Sequence, residues 1–165
     1  MDRTWVSHMA EHLVCEVADV MGHINLSCES PPIIEDLTNR EMDVLCAVIG
    51  GDCTFDMQFF ADRTLFCRFA RNMIGAEPDE EDVQEYATEF FNVLCGRFVS
   101  GLVGGSGAKI KLMPIKYELP KVWSQPAEYA VGTQWLKFIS DAQECAVFSW
   151  TPMPIEEMLR RNMAQ

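Results

Sequence analysis

Glu89 and Asn92 stand three positions apart in the amphipathic stretch from Asp79 to about Leu102, so a carboxylate and a carboxamide project from the same side of one helix. A neutral carboxamide accepts a hydrogen bond from water and donates one to an electron-rich oxygen without adding negative charge. It is therefore suited to aligning a water against an anionic centre. A carboxylate close to such a centre is repelled unless a cation screens it, so Glu89 is suited to anchoring on a cation. Glu85, one turn earlier, welcomes the same cation. Gly96 follows Asn92 by four residues; it costs the helix roughly 1 kcal/mol relative to alanine and leaves bare backbone where a partner can approach. The competing account is a solvated helix face, because a Glu-x-x-Asn pair recurs by chance on many helices.

The elements that position these groups can be read from periodicity. At about 100° per residue, Val83, Tyr86, Ala87, Phe90, Leu94 and Phe98 fall on one stripe, with Glu85, Glu89, Asn92 and Gly96 opposite. The acids from Glu77 to Asp82, around Pro78, suit a helix N-terminus. Upstream, His8 to Met21 keeps helical spacing and Gly22 predicts its stop; Ile24 to Cys28 predicts a short strand, and Ser30-Pro31-Pro32 a break. Met42 to Ile49 and Thr54 to Phe60, joined by Gly50-Gly51-Asp52, predict a hairpin, followed by a helix from Ala61 to Ile74 ending at Gly75. Downstream, Gly104-Gly105-Ser106-Gly107 breaks the chain and Lys109 to Tyr117 alternates as one strand. Pro120 to Glu128 predicts a loop, Tyr129 to Ile139 and Glu144 to Thr151 a second hairpin, and Pro154 to Met163 a terminal helix.

This order predicts an α/β fold of the α+β kind. Two helix-strand-hairpin halves, about 8–75 and 77–151, form one domain over residues 1–165, with long helices packed on a largely antiparallel sheet. Glu16-Val17-Ala18-Asp19 echoes Glu89-Phe90-Phe91-Asn92, which marks Glu16 and Asp19 as a degenerate copy. An ionised Asp19 accepts hydrogen bonds but cannot donate one, so only the second half carries the amide.

Composition narrows the classes. Twenty-five acidic against thirteen basic residues give a net charge of −12, which disfavours nucleic acid and anionic lipid as partners. The seven cysteines, 15, 28, 46, 53, 67, 95 and 145, form no Cys-x-x-Cys pair and sit mostly in apolar runs, as reduced core residues do. No basic n-region, apolar leader or bilayer-length apolar run is present, which predicts a cytoplasmic protein. His8-Met9-Ala10-Glu11-His12 matches a zinc-hydrolase pattern but lacks a marked third ligand, and surface histidines account for it. Gly101 to Lys109 superficially resembles a phosphate loop. Ile110 stands where Ser or Thr should follow the lysine, and the glycines lead from helix to strand, so the segment is a connector.

Glu89-Phe90-Phe91-Asn92-Val93-Leu94-Cys95-Gly96, the glycine break, the strand into Leu112-Met113-Pro114 and the late hairpin together resemble the chemotaxis phosphatase family that includes CheC, CheX and FliY. The likeness spans nearly the whole chain, with its specific part from about Glu81 to Pro114. It implies a hydrolase that dephosphorylates the aspartyl phosphate of a CheY-type response regulator in two-component signalling, with Glu89 and Asn92 in the family's Glu and Asn roles. A single complete copy of the pattern is similar to CheX-like members. The resemblance further implies homodimers through sheet edges, and Mg2+ supplied by the partner, with no metal or cofactor of the chain's own. The alternative is a non-catalytic receiver-binding or scaffold domain of the same fold. Phe90, Phe91 and Val93 make the helix bulky around the motif, and Val99 and Val103 approach its exposed side, as if to bury against a partner.

Overall fold

The computed structural model describes residues 3–104, 106–124 and 132–153, and in them three helices lie against an antiparallel sheet of seven strands. In chain order these are α1 (Arg3–Gly22), β1 (Leu26–Cys28), β2 (Glu41–Gly51), β3 (Phe55–Ala61), α2 (Arg63–Ile74), α3 (Glu80–Val103), β4 (Ile110–Leu112), β5 (Lys116–Val122), β6 (Gln134–Ser140) and β7 (Cys145–Pro152). The strand order is β1-β6-β7-β3-β2-β4, with β5 also on β2. Each half's short strand thus crosses to the other half's hairpin, and the two hairpins join through β3 and β7, from Phe55 opposite Pro152 to Ala61 opposite Ala146. The expected terminal helix at 154–163 lies outside the described residues, as does the start of the predicted strand at 129–131.

Local chemistry sets the boundaries. Asp79 caps α3 reciprocally: its side chain accepts from the Asp82 N–H (2.9 Å) and the Asp82 side chain accepts from the Asp79 N–H (3.0 Å). Glu80, Glu81 and Asp82 then face the positive end of the helix dipole. Gly75 ends α2 in the left-handed conformation (φ 77°), as expected. The stop of α1 falls one residue later than predicted, on His23 (φ 50°). Gly22 instead allows close packing: a Cβ there would lie 2.5 Å from the Phe69 ring of α2.

The predicted strand from Lys109 to Tyr117 is two strands. Met113-Pro114 interrupts it, β4 pairs with Ile49–Gly51, and β5 pairs with the earlier half of β2. Pro120, read as the start of a loop, lies inside β5. The β2–β5 register shifts between Met42 and Val44, and an edge strand at such an irregularity tolerates a residue without an N–H.

Alternation along the strands buries two apolar layers. On the helix side, Phe59 and Phe148 carry the packing: Phe90 and Phe91 of α3 meet Phe59 at 5.1 and 6.1 Å between ring centroids, and Phe98 meets Phe148 at 5.5 Å. On the other side Leu37, Met42, Trp123, Cys145 and Val147 form a smaller cluster. There Lys137, fully buried, donates to Glu29 (2.8 Å), the Ile33 carbonyl (2.8 Å) and Asp36 (3.1 Å), strapping the segment after β1 across the sheet. The Lys137 bond, joined by one from the Ile33 N–H, holds the Glu29 carboxyl below its ordinary pKa. A depressed carboxyl stabilises the fold fully above its unfolded pKa, and the contribution is lost as pH falls through the folded value. Glu29→Gln is therefore expected to lower the urea midpoint at pH 7, and its deficit against the parent to close as pH falls below about 4. A deficit unchanged down to pH 3 would mean that the carboxylate is not what holds the strap.

Candidate functional site

α3 is the middle helix, packed against both α1 and α2 with the sheet beneath it. Its burial is correspondingly wide: Val83, Ala87, Phe90, Leu94 and Phe98 are buried as the periodicity predicts, and so are Phe91, Cys95 and Val99. Phe91 packs on Phe59 and Phe148, and Val99 is 3% exposed, so neither offers bulk to a partner; Val93 and Val103 are half-buried against the same core. The bulk around the motif is therefore core packing and gives no support to a scaffold role. What remains open to solvent is a narrow polar stripe in which Glu81, Glu85, Glu89, Asn92 and Gly96 are all exposed.

Gly96 has no atom within 4 Å of where a Cβ would stand. The structure therefore has room for a side chain that the sequence omits, on a helix that glycine weakens. Gly96→Ala is expected to raise stability by about 0.5–1 kcal/mol in urea unfolding. A Gly96→Leu chain should fold equally well, while its larger side chain intrudes on anything approaching Asn92. A loss of stability in either variant would contradict open space at this position.

Beside the first turns of α3 runs an open groove lined by Glu81, Glu85, Tyr86 and Glu89 on one side and by Ile115 and Tyr117 on the other. Asn92 lies beyond this lining, along the same stripe. Tyr117 donates from its hydroxyl to Asp43, which is 1% exposed and also accepts from Arg63 Nη1 (2.8 Å); Arg63 in turn pairs with Glu80. Burial, followed by the bond to Asp43, pushes the Tyr117 phenol well above its usual pKa, so it stays a hydrogen-bond donor. These links tie the start of α3 to α2, β2 and β5, and hold the stripe at a set angle to the sheet. Local periodicity gives no hint of Ile115 and Tyr117, because only the pairing of β5 with β2 brings them beside α3.

The degenerate pair on α1 is placed differently. Glu16 is half-buried and forms an ion pair with Arg97 of α3 (3.2 Å), with His12 at 3.8 Å, while Asp19 is exposed. His8 and His12 are exposed and Glu11 is half-buried. Among the described residues no group of three or more His, Cys, Asp or Glu side chains converges as a metal site. The cysteines are unpaired thiols, and burial is the leading cause that raises the pKa of Cys28 to about 11 and Cys46 to about 12, which makes them poor nucleophiles. Gly101, at the head of the connector, admits Met9 of α1: a Cβ there would meet its sulfur at 2.3 Å. Among the described residues, no helix is long and apolar enough to cross a membrane.

No protein-family model matches the chain, and no curated protein sequence is similar to it. Its structure is similar to the chemotaxis protein CheX from Vibrio vulnificus, with a TM-score of 0.71 and 16% identity over 93% of this chain and 99% of that one. It is also similar to the CheX–CheY–BeF3–Mg2+ complex from Borrelia burgdorferi, with a TM-score of 0.61 and 13% identity over 90% of this chain and 98% of that one. FliY from Thermotoga maritima gives a TM-score of 0.61 and 12% identity over 95% of this chain and 91% of that one. The chain therefore has the fold shared by CheX, CheC-like and FliY proteins, as its resemblance to that family implied.

Proposed function

We propose that the chain is a phosphatase for the aspartyl phosphate of a CheY-type response regulator, working through Glu89 and Asn92. The observation that carries this reading is the stripe itself. A carboxylate and a carboxamide stand exposed one turn apart, next to bare backbone at Gly96, on a helix whose opposite side is locked into an aromatic core. Support also comes from the fold, which is shared with a CheX that was crystallised in complex with CheY.

An aspartyl phosphate is already activated, and what limits its hydrolysis is the placement of one water in line with phosphorus. Asn92 accepts a hydrogen bond from that water and donates one toward a phosphoryl oxygen, a role that an aspartate could not fill without repulsion. The water oxygen bonds to phosphorus, and the bond between phosphorus and the aspartyl oxygen breaks with its electron pair left on the carboxylate. The water's protons pass to the departing phosphate and to solvent. Glu89, with Glu85 beside it, anchors on a cationic side chain of the partner and sets the depth of docking. Mg2+ belongs to the receiver's own acidic pocket, where it neutralises phosphoryl charge. Among the described residues the sheet ends on β1 at one side and on β4 and β5 at the other, and those edges are where a second copy would pair.

The test is the decay of a CheY-type receiver phosphorylated in the presence of Mg2+, with and without the chain. Faster decay with the parent, reduced to the unassisted rate by Gly96→Leu, is the expected result. Stable association without faster decay would establish a receiver-binding domain instead.

A further inference from the structure

The stripe that ends at Asn92 and Gly96 begins three turns earlier, at Glu81. With successive residues about 100° apart, Glu81, Glu85 and Glu89 all project within roughly 60° of Asn92, and all three line the groove whose far wall is Ile115 and Tyr117. The chain supplies them with no counter-charge. Among the described residues Glu81, Glu85 and Glu89 form no ion pair, whereas Arg63 is taken by Asp43 and Glu80, and Arg97 by Glu16, all outside the groove. Successive acids four apart also repel one another, so the row weakens α3 until something positive lies against it. The rest of the wall is apolar: Tyr86, Ile115 and Tyr117 are half-buried against the main core, and the Tyr117 hydroxyl is already committed to Asp43. Rings and methyl groups beside a row of carboxylates suit the side chains of lysine and arginine, whose stems lie on apolar surface while the charged head stays among acids and water. The groove's volume, about 690 Å3, has room for several such side chains rather than one.

We infer that this groove docks a basic segment of the receiver, and that the match between the segment and the groove selects which receiver is presented to Asn92. The inference rests on the reading above of the partner as a CheY-type receiver, and it adds a second contact region to that site. Eleven residues of α-helix separate Glu81 from Asn92, a rise of roughly 16 Å, so the segment reaches that far from the phosphorylated aspartate. At that distance the acids bind the partner's cations while their repulsion of the phosphoryl group is screened by solvent. Charge pairs in an open groove act on encounter and register more than on chemistry, which makes Glu81 a docking residue and leaves the reaction to Asn92. A second copy of the chain is the poorer occupant, because it brings a net charge of −12 to an acidic wall.

The experiment compares the whole parent chain with Glu81→Gln, Glu81→Lys and Glu41→Lys. The probe is the CheY-type receiver that the parent binds most tightly in a panel, in its beryllofluoride–Mg2+ form for affinity and its phosphorylated form for assisted decay. Glu41, at the start of β2, is exposed like Glu81 but lies outside the groove's lining, so its reversal makes the same change in net charge without touching the groove. At low salt Glu81→Gln is expected to weaken binding about threefold and Glu81→Lys at least about tenfold, against less than about twofold for Glu41→Lys. The differences shrink at about 0.5 M salt. In assisted decay Glu81→Lys raises KM and leaves kcat in place, as loss of a contact made equally before and during the reaction does. Equal weakening by Glu81→Lys and Glu41→Lys reduces the effect to net charge and overturns the inference, as does parent-like binding by Glu81→Lys or a parent that binds no receiver of the panel. A parent that self-associates and is released by Glu81→Lys assigns the groove to a second copy and overturns it too. If the parent binds a receiver without speeding its decay, the phosphatase reading fails alone, and the contrast in affinity between Glu81→Lys and Glu41→Lys still decides the groove: its presence supports the docking site, its absence refutes it.

Discussion

On the proposed phosphatase reading, replacing Asn92 with alanine is expected to lower assisted decay of a phosphorylated CheY-type receiver by about 100-fold or more while leaving receiver binding nearly intact. The asymmetry follows from where the amide stands. Asn92 is exposed, so its loss opens no cavity and strands no buried group, and the fold has no reason to respond. What disappears is the carboxamide one turn from Glu89, and with it the hydrogen bonds that the proposed mechanism assigns to the attacking water. Glu89→Ala behaves differently, because an anchoring carboxylate acts before the chemistry: association and assisted decay both weaken. Phosphate-release assays and titration against beryllofluoride-loaded receiver separate the two variants. Equal activity in Asn92→Ala and the parent would remove the amide from the mechanism.

Truncating Phe148 to alanine is expected to cost about 3–5 kcal/mol, a large part of the roughly 5–15 kcal/mol that holds such a domain together. Phe148 is fully buried in β7, a strand paired on both sides, and its ring lies within 5.4–6.4 Å of those of Trp150, Phe98, Phe59 and Phe91. Two of those neighbours, Phe91 and Phe98, belong to α3, so this one residue supports the helix beneath the polar stripe. Its loss is expected to shift the urea midpoint strongly with little change in slope. A cost under about 1 kcal/mol would mean that α3 is positioned by something other than this aromatic contact.

The same aromatic layer explains which parts of the fold were legible beforehand. The positions Val83, Ala87, Phe90, Leu94 and Phe98 could be read because a helix on a core repeats its contacts every turn. Phe91 and Val99 could not, because their burial depends on what the assembled fold sets against them, for Phe91 the rings of Phe59 and Phe148 in the sheet, which is a tertiary fact. Gly22 read as a stop because glycine commonly ends helices, yet its reason is the Phe69 ring from a helix some fifty positions away. The alternation from Lys109 to Tyr117 concealed the break at Met113-Pro114, since strands on either side of a break keep a similar period.

At the site, the residues on one helix, Glu85, Glu89, Asn92 and Gly96, were visible from spacing alone, and all four emerge on the exposed stripe. Of those on other elements, Tyr117 was not, since it arrives through β5; Glu16 was marked with Asp19 by its echo of the Glu89 segment, but its meeting with Arg97 was not, since it depends on α1 packing along α3.

The most direct test of the central claim is single-turnover decay of a phosphorylated CheY-type receiver in Mg2+, followed side by side with the parent chain, with Asn92→Ala and with no addition. The account predicts rapid decay with the parent and decay at or near the unassisted rate with the variant, although both bind the receiver. Decay that is the same in all three, with binding demonstrated, would contradict it and leave the chain as a receiver-binding domain.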